Sequence, residues 1–326
     1  MAAWFAAALL GACIFVLAVT VYLFRMALLR RPPPDYAQKA REKNSPVGPY
    51  GDRLAACAKA FDAMPCERVT IHSFDGLRLC GRFFLAENPR ATLVLMHGYH
   101  SCPGIDFGCV AEFLLKEMHM NLLFAEQRAH GESEGEYITF GVRERYDCRD
   151  WAIYARNRLG GSLPILLYGL SMGAATVLMA SGLDLPDNVA GIVADCGYTT
   201  PRAIFTHVLH HGLHLPAFPF LPLVSLCTRW FAGFSIDGAS TLTALEKNTR
   251  PVLLIHGEDD DFVPTYMSLQ NYEACCGEKM LLTVKGAAHG LSYLVEEETC
   301  REKITAFFDL CIREKNLEPE AGQKQA

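Results

Sequence analysis

Hydrophobic positions along this chain fall into two regimes separated by a proline stop. Residues 2–24 are uncharged and almost wholly apolar, with Trp4, Phe5, Ile14, Phe15, Val16 and Tyr22 in one unbroken run. A run of that length suits a bilayer-spanning helix, which takes about 20 residues. Three prolines, Pro32 to Pro34, end it, and residues 32–50 read as a polar linker. Beyond residue 66 the pattern changes to short apolar runs alternating with longer mixed segments. Residues 69–73 and 77–84, joined through Phe74-Asp75-Gly76, predict an opening hairpin. Further strand runs follow at 92–96, 121–125, 164–168, 190–194, 251–255 and 280–284, with helices expected near 106–117, 143–158 and 174–180. Such alternation predicts an α/β domain whose mostly parallel sheet is covered on both faces.

The candidate chemistry sits at the ends of these strand runs. Gly169-Leu170-Ser171-Met172-Gly173 lies directly behind one strand and directly ahead of a small-residue helix. A strand, a sharp turn and a helix around a serine leave its hydroxyl exposed at the strand tip, and the glycines allow the strained turn and the close approach of helix to strand. The 251–255 strand runs into His256-Gly257-Glu258-Asp259-Asp260-Asp261-Phe262-Val263-Pro264, which places a carboxylate just past the strand end. The next strand runs into Ala287-Ala288-His289-Gly290. A histidine among small residues in such a loop is free to swing over a serine, so His289 is the candidate general base and the order is Ser, acid, His.

These motifs resemble those of the α/β-hydrolase superfamily. The resemblance rests on His97-Gly98, the serine turn, the His256-Gly257-x-x-Asp260-x-x-Val263-Pro264 loop and Ala288-His289-Gly290, with Glu126 to Ser133 similar to a further superfamily loop in which Asp usually stands at the position of Glu126. It covers about residues 67–313 and is nearest to bacterial hydrolases of the serine-aminopeptidase-like and prolyl-oligopeptidase-like groups, membrane-anchored ones included. It implies an eight-stranded α/β-hydrolase sheet with a small helical cap between strands 6 and 7. It also implies a triad of Ser171, Asp260 and His289, with the backbone N–H groups of Tyr99 and Met172 as an oxyanion hole. Asp260 is preferred to Asp259 and Asp261 by its place in the motif, and Asp195 is the fallback acid. The implied activity is hydrolysis of a carboxylic ester or thioester through an acyl-enzyme. The alternatives are a peptidase or amidase acting on small peptides, or a hydrolase-fold protein that binds without catalysis.

The expected organisation is an anchor over residues 1–31, a linker and leading helix over 32–66, the hydrolase domain over 67–313 and a disordered tail over 314–326. Within the domain, residues 196–250 exceed what one crossover helix needs and form the candidate cap. Its apolar content, beside a membrane helix, suggests acyl or lipid-like substrates, although the same residues could simply pack on the sheet.

Composition adds three constraints. The net charge of −6 becomes −9 once the three arginines of residues 1–31 are set aside, which excludes nucleic acid as an expected partner. Arg25, Arg30, Arg31, Lys39, Arg41 and Lys43 follow the apolar run, so the positive-inside rule favours a cytoplasmic catalytic domain. Thirteen cysteines without a C-x-x-C pair, among them Cys80, Cys196 and Cys311 in expected strands and helices, read as free thiols in a reducing compartment. His207, His210, His211 and His214 share roughly one helical face but have no acid among them, so they read as surface histidines and no metal or cofactor is expected. His97 and His256 read as turn residues, and His100 as a pocket-lining one.

Overall fold

The computed structural model describes residues 1–33, 42, 45 and 47–317, so most of the expected linker and residues 318–326 of the expected tail lie outside the described part. Eight strands form one sheet: β1 (Glu67–His72), β2 (Arg78–Phe84), β3 (Ala91–Met96), β4 (Met120–Ala125), β5 (Ile165–Leu170), β6 (Val189–Asp195), β7 (Val252–Gly257) and β8 (Lys279–Val284). Their order across the sheet is β1-β2-β4-β3-β5-β6-β7-β8. The hairpin β1–β2 is antiparallel and joins β4 antiparallel, whereas all later pairings are parallel. Strands β3, β4, β6 and β7 are buried along their whole length, as parallel strands with both faces covered must be.

Eleven α-helices complete the described chain: α1 (Ala2–Leu28), α2 (Gly51–Ala63), α3 (Pro103–Glu112), α4 (Glu144–Arg158), α5 (Met172–Ala180), α6 (Pro201–His207), α7 (Ala217–Phe231), α8 (Thr241–Leu245), α9 (Tyr266–Ala274), α10 (Ser292–Val295) and α11 (Glu297–Leu317). Wider π-type turns continue α3 through Phe113–Glu117 and α6 through Val208–Gly212. One face of the sheet is covered by Phe107, Leu114, Phe307 and Phe308 among others, and the opposite face by Trp151, Ala174, Val177 and Leu178. Between β6 and β7 stand α6, α7 and α8, as the resemblance implies.

Two expectations are corrected. Residues 314–317, expected in a disordered tail, instead continue α11 to Leu317 through Glu314 and Lys315, whose unbranched side chains favour helix. Cys196 lies one residue past β6 with φ of 50°, in the turn that leaves the strand. All thirteen cysteines are free.

The apolar N-terminal run forms α1, whose segment Trp4–Leu28 is long and apolar enough to cross a membrane by length and composition. Most of its side chains are exposed, but Leu23, Phe24 and Leu28 are buried against the domain. The chain leaving α1 is stitched to the loop before α4. Ile138 donates its N–H to the Leu28 carbonyl at 2.8 Å, Arg30 donates its own to Glu136 at 2.9 Å, and the Arg30 guanidinium reaches the Ser133 carbonyl at 2.7 Å.

Candidate active site

Parallel strands end together, so groups placed just beyond β3, β5, β6, β7 and β8 meet at one edge of the sheet. At the β5 end the backbone turns through Ser171 with φ of 56° and enters α5 at Met172. A non-glycine residue at positive φ is strained and persists only where its surroundings hold it. Here the Ser171 N–H donates to the Asp195 carbonyl at 2.8 Å, and the two glycines let helix and strands close around the turn. A Cβ on Gly173 would lie 1.8 Å from the Met96 carbonyl oxygen, and one on Gly169 would lie 2.1 Å from that of Gly173. Both neighbours are backbone atoms that cannot step aside, so Gly173→Ala is expected to destabilise the fold by on the order of 3 kcal/mol. A urea titration checks this, and a midpoint equal to the wild type's would refute it.

Ser171, His289 and Asp260 are brought together in line. His289 Nε2 lies 2.8 Å from Ser171 Oγ, and its Nδ1 lies 2.7 Å from Asp260 Oδ2. A carboxylate only accepts, so Nδ1 carries the ring proton and Nε2 is left to accept from the serine hydroxyl. Asp260 is fixed from every side. Its Oδ1 accepts the N–H groups of Phe262 at 3.0 Å and Val263 at 2.8 Å, and its Oδ2 also meets His256 Nε2 at 3.1 Å. Burial alone would raise its pKa, but the charge and hydrogen bonds of His289 and His256 prevail and hold it well below the usual carboxylate range. Asp259 and Asp261 are exposed, and neither takes this place.

His256 thus does more than shape a turn. Its Nε2 also lies 2.7 Å from the Val263 carbonyl, which can only accept, so Nε2 bears the proton and Nδ1 accepts from the Ser268 hydroxyl at 2.6 Å. The ring is locked and completes the cradle of Asp260.

The loop after β3 carries Tyr99. The Gly98 N–H donates to Asp106 Oδ2 at 2.6 Å, and the Ser101 hydroxyl donates to Asp106 Oδ1 at 2.5 Å. His97 Nε2 accepts the Gln127 N–H at 3.1 Å, while His130 Nε2 accepts the His100 N–H at 3.1 Å. The Tyr99 hydroxyl donates to the Met26 carbonyl in α1 at 3.1 Å. The sequence marks Gln127 and His130 only as members of the Glu126 to Ser133 loop and Asp106 only as the start of an expected helix, because each acts through a contact across 8 to 30 residues that no spacing rule marks. Burial pushes the Asp106 carboxyl up to about 6 against these two donors. Met172, opening α5, has a first-turn N–H with no acceptor inside the helix.

Asp195 is buried at the β6 tip, the His289 ring nitrogens bond to Asp260 and Ser171 instead, and Asp195 Oδ1 has no hydrogen-bond partner among the described residues. Burial pushes it up to about 7. A raised folded pKa means that the native state keeps a proton the unfolded chain loses, so Asp195 lowers stability progressively as pH rises from about 4 through 7. Asp195→Asn is therefore expected to raise Tm at pH 8 relative to wild type and to leave it nearly unchanged at pH 4. A calorimetric comparison at the two pH values checks this, and an equal shift at both would contradict it.

Two cavities meet at Ser171. One, of about 340 Å³, is apolar and is lined by α1, α6, α7 and the Phe140 and Phe262 loops. The other, of about 580 Å³, is more polar and is lined by His289, Asp106, Asp195, Ser101 and Leu54 among others. His100 lines both. Cys196, Asp260 and His289 are the one described trio whose donor atoms lie close enough to suggest a metal. The 2.7 Å between Asp260 and His289 is a hydrogen-bonded distance, shorter than the roughly 3.3 Å that two tetrahedral ligands at about 2 Å from zinc keep between them. His207 and His211 stack at 4.5 Å, and His207 reaches the Asp261 carbonyl at 2.8 Å.

No family model matches the chain. It is 26% identical over 257 residues to the uncharacterized protein YqkD of Bacillus subtilis, covering 77% of this chain and 82% of that one. It is 28% identical over 209 residues to human alpha/beta hydrolase domain-containing protein 17C, covering 63% of this chain and just over half, 54%, of that one. Among solved structures, the Pyrococcus furiosus esterase Pf2001 matches with a TM-score of 0.63 at 20% identity, over 86% of this chain and all of that one. Est1E of Butyrivibrio proteoclasticus with ferulic acid bound matches with a TM-score of 0.59 at 20% identity, over 75% and 99% of the two chains. With its eight-stranded, mostly parallel sheet and these structural likenesses, the chain has the α/β-hydrolase fold.

Proposed function

We propose that this protein is a serine hydrolase that cleaves a carboxylic ester or thioester through an acyl-enzyme, held to a membrane by α1. The observation that carries the reading is the relay from Ser171 Oγ through His289 to Asp260, at 2.8 and 2.7 Å. Ser171 attacks the carbonyl carbon as its proton passes to His289 Nε2. Asp260 keeps the imidazole in the receptive tautomer and stabilises it once charged. The developing oxyanion is met by the N–H groups of Met172 and Tyr99, donors set in advance on a helix start and on a loop clamped by Asp106. Collapse expels the leaving group, which takes the proton from His289, and water then repeats the sequence in reverse order on the acyl-serine. Of the solved neighbours, Pf2001 is named an esterase and Est1E has ferulic acid bound, which agrees with an ester substrate.

The test is a panel of p-nitrophenyl esters of increasing chain length beside aminoacyl p-nitroanilides, with a fluorophosphonate probe to mark the nucleophile. Ester turnover with the probe on Ser171 is expected. Turnover of anilides alone would move the assignment to a peptidase, and a protein that neither turns over nor takes the probe would leave only a binding role.

A further inference from the structure

The apolar cavity beside Ser171 is built partly from α1. Leu23, Met26 and Ala27 form one side of it, facing Leu209 of the turn after α6 and Leu221 and Val224 of α7. A helix apolar enough to cross a bilayer is thus a wall of the site.

The depth of that wall follows from the helix itself. The uncharged part of α1 ends at Phe24, and its packing against the domain begins at Val16. Nine residues, about 13 Å of helix, belong both to the apolar stretch and to the contact with the domain. With that stretch in hydrocarbon, whatever packs beside it sits at the lipid boundary. The rings of Phe24 and Phe231 lie 6.0 Å apart, so α7 is that neighbour. Its outward residues have the matching chemistry. Phe218, Leu226, Trp230 and Phe231 are between 49% and 79% exposed, an arrangement costly in water and suited to a helix lying in a membrane surface. Trp230 has the ring type that gathers at headgroup level.

The two cavities divide the substrate. His289 lines the polar one and not the apolar one. The group that protonates the leaving oxygen must reach it, so the leaving group occupies the polar side and the acyl chain the apolar side.

We propose that α7 lies in the bilayer surface with its outward face among lipid, and that the cavity between α1 and α7 takes the acyl chain of an ester resident in that bilayer. The proposal rests on the serine-hydrolase reading above. In the step, the bond from Ser171 Oγ to the acyl carbon forms and the bond from that carbon to the leaving oxygen breaks. The Oγ proton travels through His289 to the leaving oxygen, and water later restores Ser171 and releases the fatty acid.

The experiment uses the full chain in phosphatidylcholine vesicles, with p-nitrophenyl palmitate carried in the vesicles and p-nitrophenyl acetate in solution. In a Trp4→Phe background the emitting tryptophans are buried Trp151 and exposed Trp230, and lipids brominated in their acyl chains are expected to quench Trp230. Replacing Phe218, Leu226 and Trp230 together by serine is expected to lower palmitate turnover about tenfold, with acetate turnover within about twofold of wild type, because only the palmitate must be drawn from the lipid that this face meets. Ala27→Trp, which fills the cavity from α1, is expected to lower the palmitate-to-acetate ratio about tenfold by crowding the chain. No quenching of Trp230, or a wild-type ratio in both variants, would overturn the proposal. Turnover of both esters unchanged in Ser171→Ala would instead remove the hydrolase reading, while the quenching result would still decide where α7 lies.

Discussion

Ser171→Ala is expected to reduce turnover of a p-nitrophenyl ester by about 10⁴-fold or more, with the fold intact. In the proposed mechanism the serine oxygen is the atom that forms the covalent bond, and no other described hydroxyl or thiol stands within hydrogen-bond distance of His289 Nε2. Alanine keeps the volume and the backbone of the turn. The positive φ of Ser171 is held by its own N–H bond to Asp195 and by the glycines around it, none of which involves the hydroxyl. Stability and substrate binding are therefore expected to change little, so that the loss falls on kcat. Steady-state kinetics with a melting curve on the same preparation check both halves. A variant that keeps its rate would show that the nucleophile lies elsewhere, and one that unfolds would show that the hydroxyl supports the turn.

Asp260→Asn is expected to cost about 10⁴-fold in kcat, for a reason particular to this loop. The backbone N–H groups of Phe262 and Val263 require an acceptor at the Oδ1 position, so the amide oxygen of asparagine is drawn there. Its NH₂ must then face His289 Nδ1 and His256 Nε2. His256 Nε2 is committed as a donor to the Val263 carbonyl, which leaves His289 Nδ1 as the one ring nitrogen able to accept. Accepting there moves the His289 proton to Nε2, and an Nε2 that carries a proton cannot take one from Ser171. Asp260→Ala would instead leave the ring unrestrained, so the asparagine variant is expected to be no better than alanine despite its closer shape. Rates of the two variants side by side decide the point, and an asparagine variant within tenfold of wild type would contradict the tautomer argument. Because the folded pKa of Asp260 is held low, its ionised form adds stability above about pH 4, and that contribution is lost as pH falls further.

Much of this architecture was legible because each strand is a short apolar run closed by glycine, proline or a charged turn, and the candidate catalytic groups follow their strands by one to five residues. Ser171 and His289 could be named from those positions, and Asp260 among three adjacent aspartates by its place in the motif that the resemblance supplies. What stayed hidden depends on contacts between distant segments. Asp106 is one acidic residue in a helix until Gly98 and Ser101 are seen to point at it. His256 looks like half of a turn until the protons around its two ring nitrogens are followed through Ser268 and Val263. Hydropathy marked α1 as apolar but gave no sign that one side of it is packed, since a face that meets lipid and a face that meets a protein core are built from the same residues. The helical end of α11 was missed for the opposite reason, because its polar residues are good helix formers that carry no apolar stripe to signal it.

The backbone bridge between Leu29 and Tyr137, with the Tyr99 hydroxyl bound to Met26, has a practical consequence for handling the protein. Cutting the chain after residue 31 to obtain a fragment without α1 would strip partners from the 136–138 edge and leave the Tyr99 hydroxyl without its carbonyl. Such a preparation would present a trench where the intact chain has a closed-sided slot, and detergent used to keep it dispersed would settle there. Kinetics gathered on that fragment would describe an altered binding surface, so substrate profiling belongs with the uncut chain.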